Sequence, residues 1–440
     1  MRLTPLEEYF YWESCGEFPN IILGRLTFQG KFQREALEAS FRELHDRHPL
    51  LRCVIEERWG RLYWKIQKNF VSSLEWNVEL LDNGLPAWEA GDLRHRPGFQ
   101  VVLMEGGGVT EVFFRLEHVI CDAKALENVW VDLLTLYSNR LGVLKPLSRL
   151  NPGLLRSRGV RGQSSNWVKQ LGRKILGASL ARHFNGKEVA ALFPESGNAG
   201  VPAEVRTYPQ ILTEKLGAQE LSLLKKAALR ERVTLNDLLT VDLQVAVREL
   251  RQARGLPCLS EPLRIVVPVS LRNSASRELS ACNVISLITM DRSEEDLKEP
   301  ESLLRRTHEE MTWIREQGLQ AAFLSMLSMY RLLPGGLKEF CRRQKRRRGT
   351  LVLSNLLTIY FHSARALLNE KGWVEVKGAV LTGLTYTGPL LSGVQVSVVA
   401  HIYAGVLHLD LNYDWKRVSE SEARSLMERW LARLRARLEC

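Results

Sequence analysis

One histidine and one aspartate stand four residues apart in Glu117-His118-Val119-Ile120-Cys121-Asp122-Ala123, just after an apolar run, and no other His-x-x-x-Asp spacing occurs in the 440 residues. An imidazole with an ordinary pKa of about 6.5 takes a proton from a hydroxyl or amine near neutral pH, so His118 is a candidate general base. The spacing alone is weak. With nine His in the chain and about one residue in twenty being Asp, chance supplies roughly 0.5 such pairs, and a satisfied core histidine is the other reading. Cys121 lies inside the motif, but a Cys among apolar neighbours is more often a small packing residue than a nucleophile.

Two other segments carry chemistry. Ser354-Asn355 closes an apolar run, where a hydroxyl or amide can stabilise a developing oxyanion or simply cap and bridge strands. Arg342-Arg343-Gln344-Lys345-Arg346-Arg347-Arg348 is the densest charge in the chain. Arg342, Arg343, Lys345 and Arg346 are the candidate cofactor-binding residues, able to grip a phosphopantetheine or coenzyme A phosphate, an acidic carrier protein or lipid headgroups. A solvated basic loop is the alternative.

The composition bounds these readings. A net charge of +11 concerns partners and not fold. No zinc finger, RNP-like aromatic run or Gly-rich phosphate loop accompanies it, so nucleic-acid binding through residues 342–348 is a third and weaker reading. Hydrophobic residues at 45% and charged residues at 25% describe an ordinary globular protein. No apolar run of about 18 residues spans a membrane, and acids stand in the opening residues where a signal peptide has its apolar core, so a cytoplasmic protein, with peripheral membrane contact open, is expected. Seven scattered Cys without Cys/His clustering point to reduced thiols and to no metal site.

The elements that must position the motif follow from periodicity. A strand is expected over 21–28 and a helix over 32–44, then a hairpin of 51–55 with 62–66 about Trp59-Gly60. A second hairpin, 101–104 with 112–116 about Gly106-Gly107-Gly108, delivers His118 to the end of its returning strand, and a helix over 125–141 follows. Residues 151–205 lose strand signals and gain Gly, Ser, Arg and Asn, as a connection between domains would. Inside them, 167–184 is a basic amphipathic helix that suits either an anionic membrane or packing against the protein. Beyond, Thr234 and Asp237 cap a helix over 235–250. Strands are expected at 265–269, 284–288, 351–354, 374–381, 394–401 and 407–413, and helices at 301–315, 321–333 and after a Ser419/Glu422 capping box.

In order along the chain, Leu44–Arg52 with its Arg47-His48-Pro49, the His118 motif, Val267-Pro268-Val269-Ser270-Leu271-Arg272-Asn273 and Ser354-Asn355 resemble the signposts of the condensation-domain superfamily. This group includes chloramphenicol-acetyltransferase-like enzymes, free-standing condensation domains, polyketide-associated acyltransferases and wax-ester synthases. The resemblance spans nearly the whole chain. It implies a mixed α+β fold of two chloramphenicol-acetyltransferase-like lobes in a V with a tunnel between them: residues 1–150, the connection 151–205, and residues 206–440. It further implies that His118 acts as base in that tunnel, that Asp122 turns away and pairs with Arg272, and that Asn283 fixes nearby backbone. The implied reaction moves an acyl group from a thioester, of coenzyme A or of a phosphopantetheine-bearing acidic acyl carrier protein, to an alcohol or amine, with no tightly bound cofactor and no metal. Two departures, Glu117 where the family often has a second His and Ala123 where it has Gly, leave open an inactive module that only docks a carrier protein.

Overall fold

The hairpin carrying the His motif closes because Gly107 and Gly108 both take positive φ, 57° and 77°, a conformation that glycine adopts without steric penalty. It returns β5 (Phe99–Gly106) into β6 (Val109–Glu117), with Val101 opposite Phe114. On the far side of β6 lies β1 (Ile21–Gly30). Gly24 permits this close pairing, since a Cβ there would stand 2.1 Å from the Phe114 ring.

A computed structural model describes residues 1–14, 18–68, 74–80, 84–86, 88, 91–159, 188–193, 210–343, 349–357 and 364–438. The amphipathic segment 167–184 lies outside the described residues, as does most of the connection 151–205.

Two six-stranded sheets organise the chain. The first runs β11 (Glu375–Val376), β12 (Ala379–Thr387), β1, β6, β5 and β4 (Leu74–Trp76). The second runs β7 (Gln210–Leu216), β14 (Val406–Tyr413), β13 (Val396–Tyr403), β10 (Leu351–Leu356), β8 (Leu263–Ser270) and β9 (Ile285–Arg292). A separate hairpin pairs β2 (Cys53–Arg58) with β3 (Arg61–Ile66). Strand β13 is buried along nearly its whole length, which its Val-Ser-Val-Val-Ala run allows, and the helices Leu235–Ala253, Pro300–Glu316 and Glu420–Ala436 cover that sheet. Trp430 is fully buried in this layer and donates its indole N–H to the Leu239 carbonyl at 3.2 Å. Among the described residues no helix is long and apolar enough to cross a membrane.

One expectation is corrected. Residues 374–381 do not form a single strand of the second half; Gly378 at φ 91° turns the chain between β11 and β12. Strand β12 then pairs antiparallel with β1, Leu26 opposite Leu384, so the first sheet is completed by residues from late in the chain. Asp410 on β14 fastens the crossing. Its fully buried carboxylate accepts hydrogen bonds from the Tyr386 amide of β12 and the Thr213 hydroxyl of β7, both at 2.8 Å. Burial pushes its pKa up to about 7, against the pull of these two donors and of Lys215.

Candidate active site

Strand β6 ends at Glu117, a turn follows in which the Ile120 amide donates to the Glu117 carbonyl, and the helix α3 (Ala123–Arg140) begins behind Asp122. Asp122 is its N-cap, Oδ1 accepting from the Ala125 amide at 3.0 Å. Strand, turn and cap therefore account for the four-residue spacing of His and Asp.

Both main-chain groups of His118 are tied: its N–H donates to the Asn20 carbonyl at 2.9 Å, and its carbonyl accepts from Nδ2 of Asn283 at 2.8 Å. The same Nδ2 donates to the Val119 carbonyl at 3.0 Å. The imidazole packs against Phe10, ring centroids 4.6 Å apart. Nδ1 is buried and has no hydrogen-bond partner among the described residues, and His118 lines the neighbouring cavity. Burial lowers its pKa, opposed by its own carbonyl, the Asp122 charge and Asn283. The neutral, proton-accepting form thus persists below the ordinary histidine range.

Asp122 lines the same cavity, but both of its carboxylate oxygens are engaged by the protein. Its Oδ2 accepts from Nη1 of Arg272 and from the Val284 amide, each at 2.8 Å, and Nη2 of Arg272 donates to the Cys282 carbonyl at 2.9 Å. The ion pair is nearly buried on the acid side. It belongs to a strap, residues 280–284, that binds the first half of the chain at successive positions. The Ser280 hydroxyl donates to the Arg47 carbonyl at 2.8 Å, and the Ala281 amide to Nδ1 of His48 at 3.0 Å. Because His48 accepts at Nδ1, its proton sits on Nε2, 3.2 Å from an Asp132 carboxylate oxygen. His48 is structural, and so are Cys121 and Cys282: both thiols are buried, with the pKa of Cys282 raised to about 12 and that of Cys121 well above the thiol range, in each case first by desolvation.

The cavity beside His118 holds about 280 Å³ and lies between the two sheets. Its walls are mainly apolar, with Ile22 on one side and Val266, Leu287, Val352 and Val399 on the other. Ser354 lines it, and its hydroxyl has no hydrogen-bond partner among the described residues. Asn355 also lines it, but its amide is committed: Nδ2 donates to Oδ1 of Asn236 and Oδ1 accepts from the Leu357 amide. Two further cavities adjoin, one sharing Phe10 and the other sharing Ile285 as a wall.

The two departures have plain structural outcomes. Glu117 does not contact the imidazole; it pairs with Arg115 at 2.6 Å, and burial raises its pKa despite that guanidinium. Gly91 and Gly98 make room for it, since a Cβ at either would clash with the Glu117 side chain. Ala123 opens α3 with no positive φ and adds only a methyl to the cavity wall.

Arg342 is exposed and pairs with Glu339 at 2.7 Å, away from the cavity lining. The Arg343 side chain, Lys345 and Arg346 lie outside the described residues. Among the described residues, no group of three or more His, Cys, Asp or Glu is placed to hold a metal. Sequence reasoning missed Phe10, Tyr386 and Ser397, all on the cavity wall; the Ser397 hydroxyl is buried without a partner among the described residues.

Comparison with solved structures settles the architecture. Over 100% of this chain and 98% of the other, it superposes on polyketide synthase associated protein 5 from Mycobacterium tuberculosis with a TM-score of 0.65 at 16% identity. The first condensation domain of the calcium-dependent antibiotic synthetase, in complex with a substrate analogue, gives a TM-score of 0.70 at 13% identity, covering 100% of this chain and 97% of that one. The chain has the condensation-domain fold. The epimerization domain from the third module of tyrocidine synthetase B shares it, with a TM-score of 0.63, 14% identity and coverage of 100% and 97%. A condensation-domain fold therefore houses more than one reaction, and the site must carry the functional argument. No family model matches the sequence, and no curated protein matches it.

Proposed function

We propose that this condensation-domain protein is an acyltransferase that moves an acyl group from a coenzyme A or carrier-protein thioester to a hydroxyl or amine, with His118 as general base. One observation carries the proposal: a half-buried histidine, held at both its main-chain groups, lines an apolar cavity between the sheets. A thioester is already activated, so the site needs alignment, a base and an oxyanion donor.

Nε2 of His118 takes the proton of the acceptor O–H or N–H as the nucleophile adds to the thioester carbonyl. The C–S bond then breaks, and the imidazolium returns the proton to the departing thiolate. Ser354 is the preferred oxyanion donor, because Asn355 is already engaged. Asp122 and Arg272 hold the loop and do not touch the reacting atoms. The apolar walls suit an acyl chain, and the basic surface suits an acidic carrier protein or the phosphates of coenzyme A.

The test is thiol release from octanoyl-CoA, and from an octanoyl carrier protein, with a panel of alcohols and amines. Wild type is expected to outpace His118→Ala by about 10²–10⁴-fold with at least one acceptor. Equal rates with retained carrier-protein binding would replace the proposal with a docking module.

A further inference from the structure

The helix α1 (Pro5–Glu13) is anchored by a Thr4/Glu7 capping box and by the buried Glu7–Arg158 ion pair. It carries Phe10, which is 4% exposed, onto the face of the His118 ring at a tilt of 51°. Phe10 lines the His118 cavity and also a second cavity of about 240 Å³, and among the described residues no other lines both. Tyr11, Trp12, Asn20 and Glu117 stand on the wall of that second chamber. Asn20 is 2% exposed, and its Oδ1 is buried without a partner among the described residues. Leaving a carbonyl acceptor buried and unmet is unfavourable, so this oxygen suits a ligand bearing an O–H or N–H donor.

We infer that Phe10 is a specificity-determining partition, setting how far an acceptor extends beyond His118. With the ring in place, the acceptor is confined to the His118 cavity. With it trimmed, the two chambers join, and the far end of a longer acceptor lies among Tyr11 and Trp12 with a second hydroxyl or amine donating to Oδ1 of Asn20. An acyl tail has no such donor, which favours the acceptor as occupant. This inference rests on the acyltransferase reading proposed above.

The experiment compares butan-1-ol, octan-1-ol and octane-1,8-diol as acceptors of octanoyl-CoA in wild type, Phe10→Leu and Phe10→Ala, and takes kcat/KM as a long-to-short ratio so that a general loss of activity cancels. The ratio should rise about tenfold or more in Phe10→Ala, the scale on which pocket size discriminates, with Phe10→Leu intermediate. Adding Asn20→Ala to Phe10→Ala should remove the advantage of the diol over octan-1-ol. Phe10→Leu keeps an apolar core side chain and carries the comparison if Phe10→Ala is insoluble. An unchanged ratio in a folded variant that still releases thiol would overturn the inference while leaving the acyltransferase reading intact. If wild type releases no more thiol than His118→Ala, that reading fails, and titration calorimetry of octane-1,8-diol decides on Phe10 alone. Binding that tightens about tenfold in the variant upholds the partition, and unchanged binding refutes it.

Discussion

At the scale of single residues, some polar groups that line the cavity are engaged by none of the described residues, and others are committed to holding the site together. Ser354 meets the cavity with a hydroxyl that none of the described residues engages, so Ser354→Ala should lower kcat about 10²-fold, the usual effect of losing one oxyanion donor. Asn355→Ala, which removes an amide bonded to Asn236 and Leu357, should move melting temperature more than turnover. Steady-state kinetics and thermal melts on the two variants check this. Asp122 is a holding residue with three partners: the α3 cap, the Val284 amide and Arg272. Asp122→Ala strands a guanidinium and should destabilise the fold by about 3–5 kcal/mol, as loss of one member of a buried ion pair does. Denaturant unfolding measures it, and unchanged stability would show that the pair contributes only geometry. An equally large loss of turnover with no loss of stability would instead place Asp122 in the chemistry.

At the scale of elements, local chemistry made much of the fold legible. The turns at Trp59-Gly60, Gly107-Gly108 and Ala404-Gly405 take positive φ at both positions, and each supplies at least one glycine, which adopts that conformation without steric penalty. The capping boxes at Thr234 and Ser419 start helices where the sequence places them. The strand before His118 and the helix after it were legible too, from the apolar run over 112–116 and the helical pattern over 125–141, whereas the Asp122 cap that opens the helix was not read. The exchange of β12 was not legible. Its Ala379–Thr387 run looks like any half-buried strand, and the choice of β1 as partner, over 350 residues away in some pairs, depends on non-local packing. The same limit hid Phe10, one of four aromatics in the α1 sequence, since only the assembled cavity shows which of them faces His118. The strap 280–284 was visible only through Asn283, whereas each neighbour contributes a main-chain or hydroxyl contact that any sequence can supply.

At the scale of the whole molecule, Asp410 joins the two sheets where β12 crosses between them. Its neighbours on the second sheet are His401, 3.4 Å away at Nε2, and His408, whose ring centroid is 4.7 Å from that of His401. Burial depresses both histidines, to about 3 and about 4, so the cluster is neutral when Asp410 is protonated. The folded pKa of Asp410 is raised from 3.8 to about 7, so the folded state binds the extra proton between these values. Its contribution to stability therefore falls as pH rises through that window and is constant above it. His401 and His408 act in the opposite sense, costing stability as pH drops below 6.5. Asp410→Asn removes only the first effect. Relative to wild type, the variant should gain up to about 4 kcal/mol between pH 4 and pH 7, following the shift of roughly three pKa units, and urea unfolding across that range reads the difference. A flat difference would mean that Asp410 is ionised in the folded protein throughout.

The role of the His118 imidazole as proton acceptor is tested most directly by the pH dependence of kcat/KM for thiol release from octanoyl-CoA, in wild type and in His118→Ala. Because burial lowers the His118 pKa, wild-type activity should fall with acid along a one-proton limb whose midpoint lies below 6.5, and that limb should vanish with the bulk of the rate in the variant. An acid limb of the same midpoint and height in His118→Ala would show that another group takes the proton.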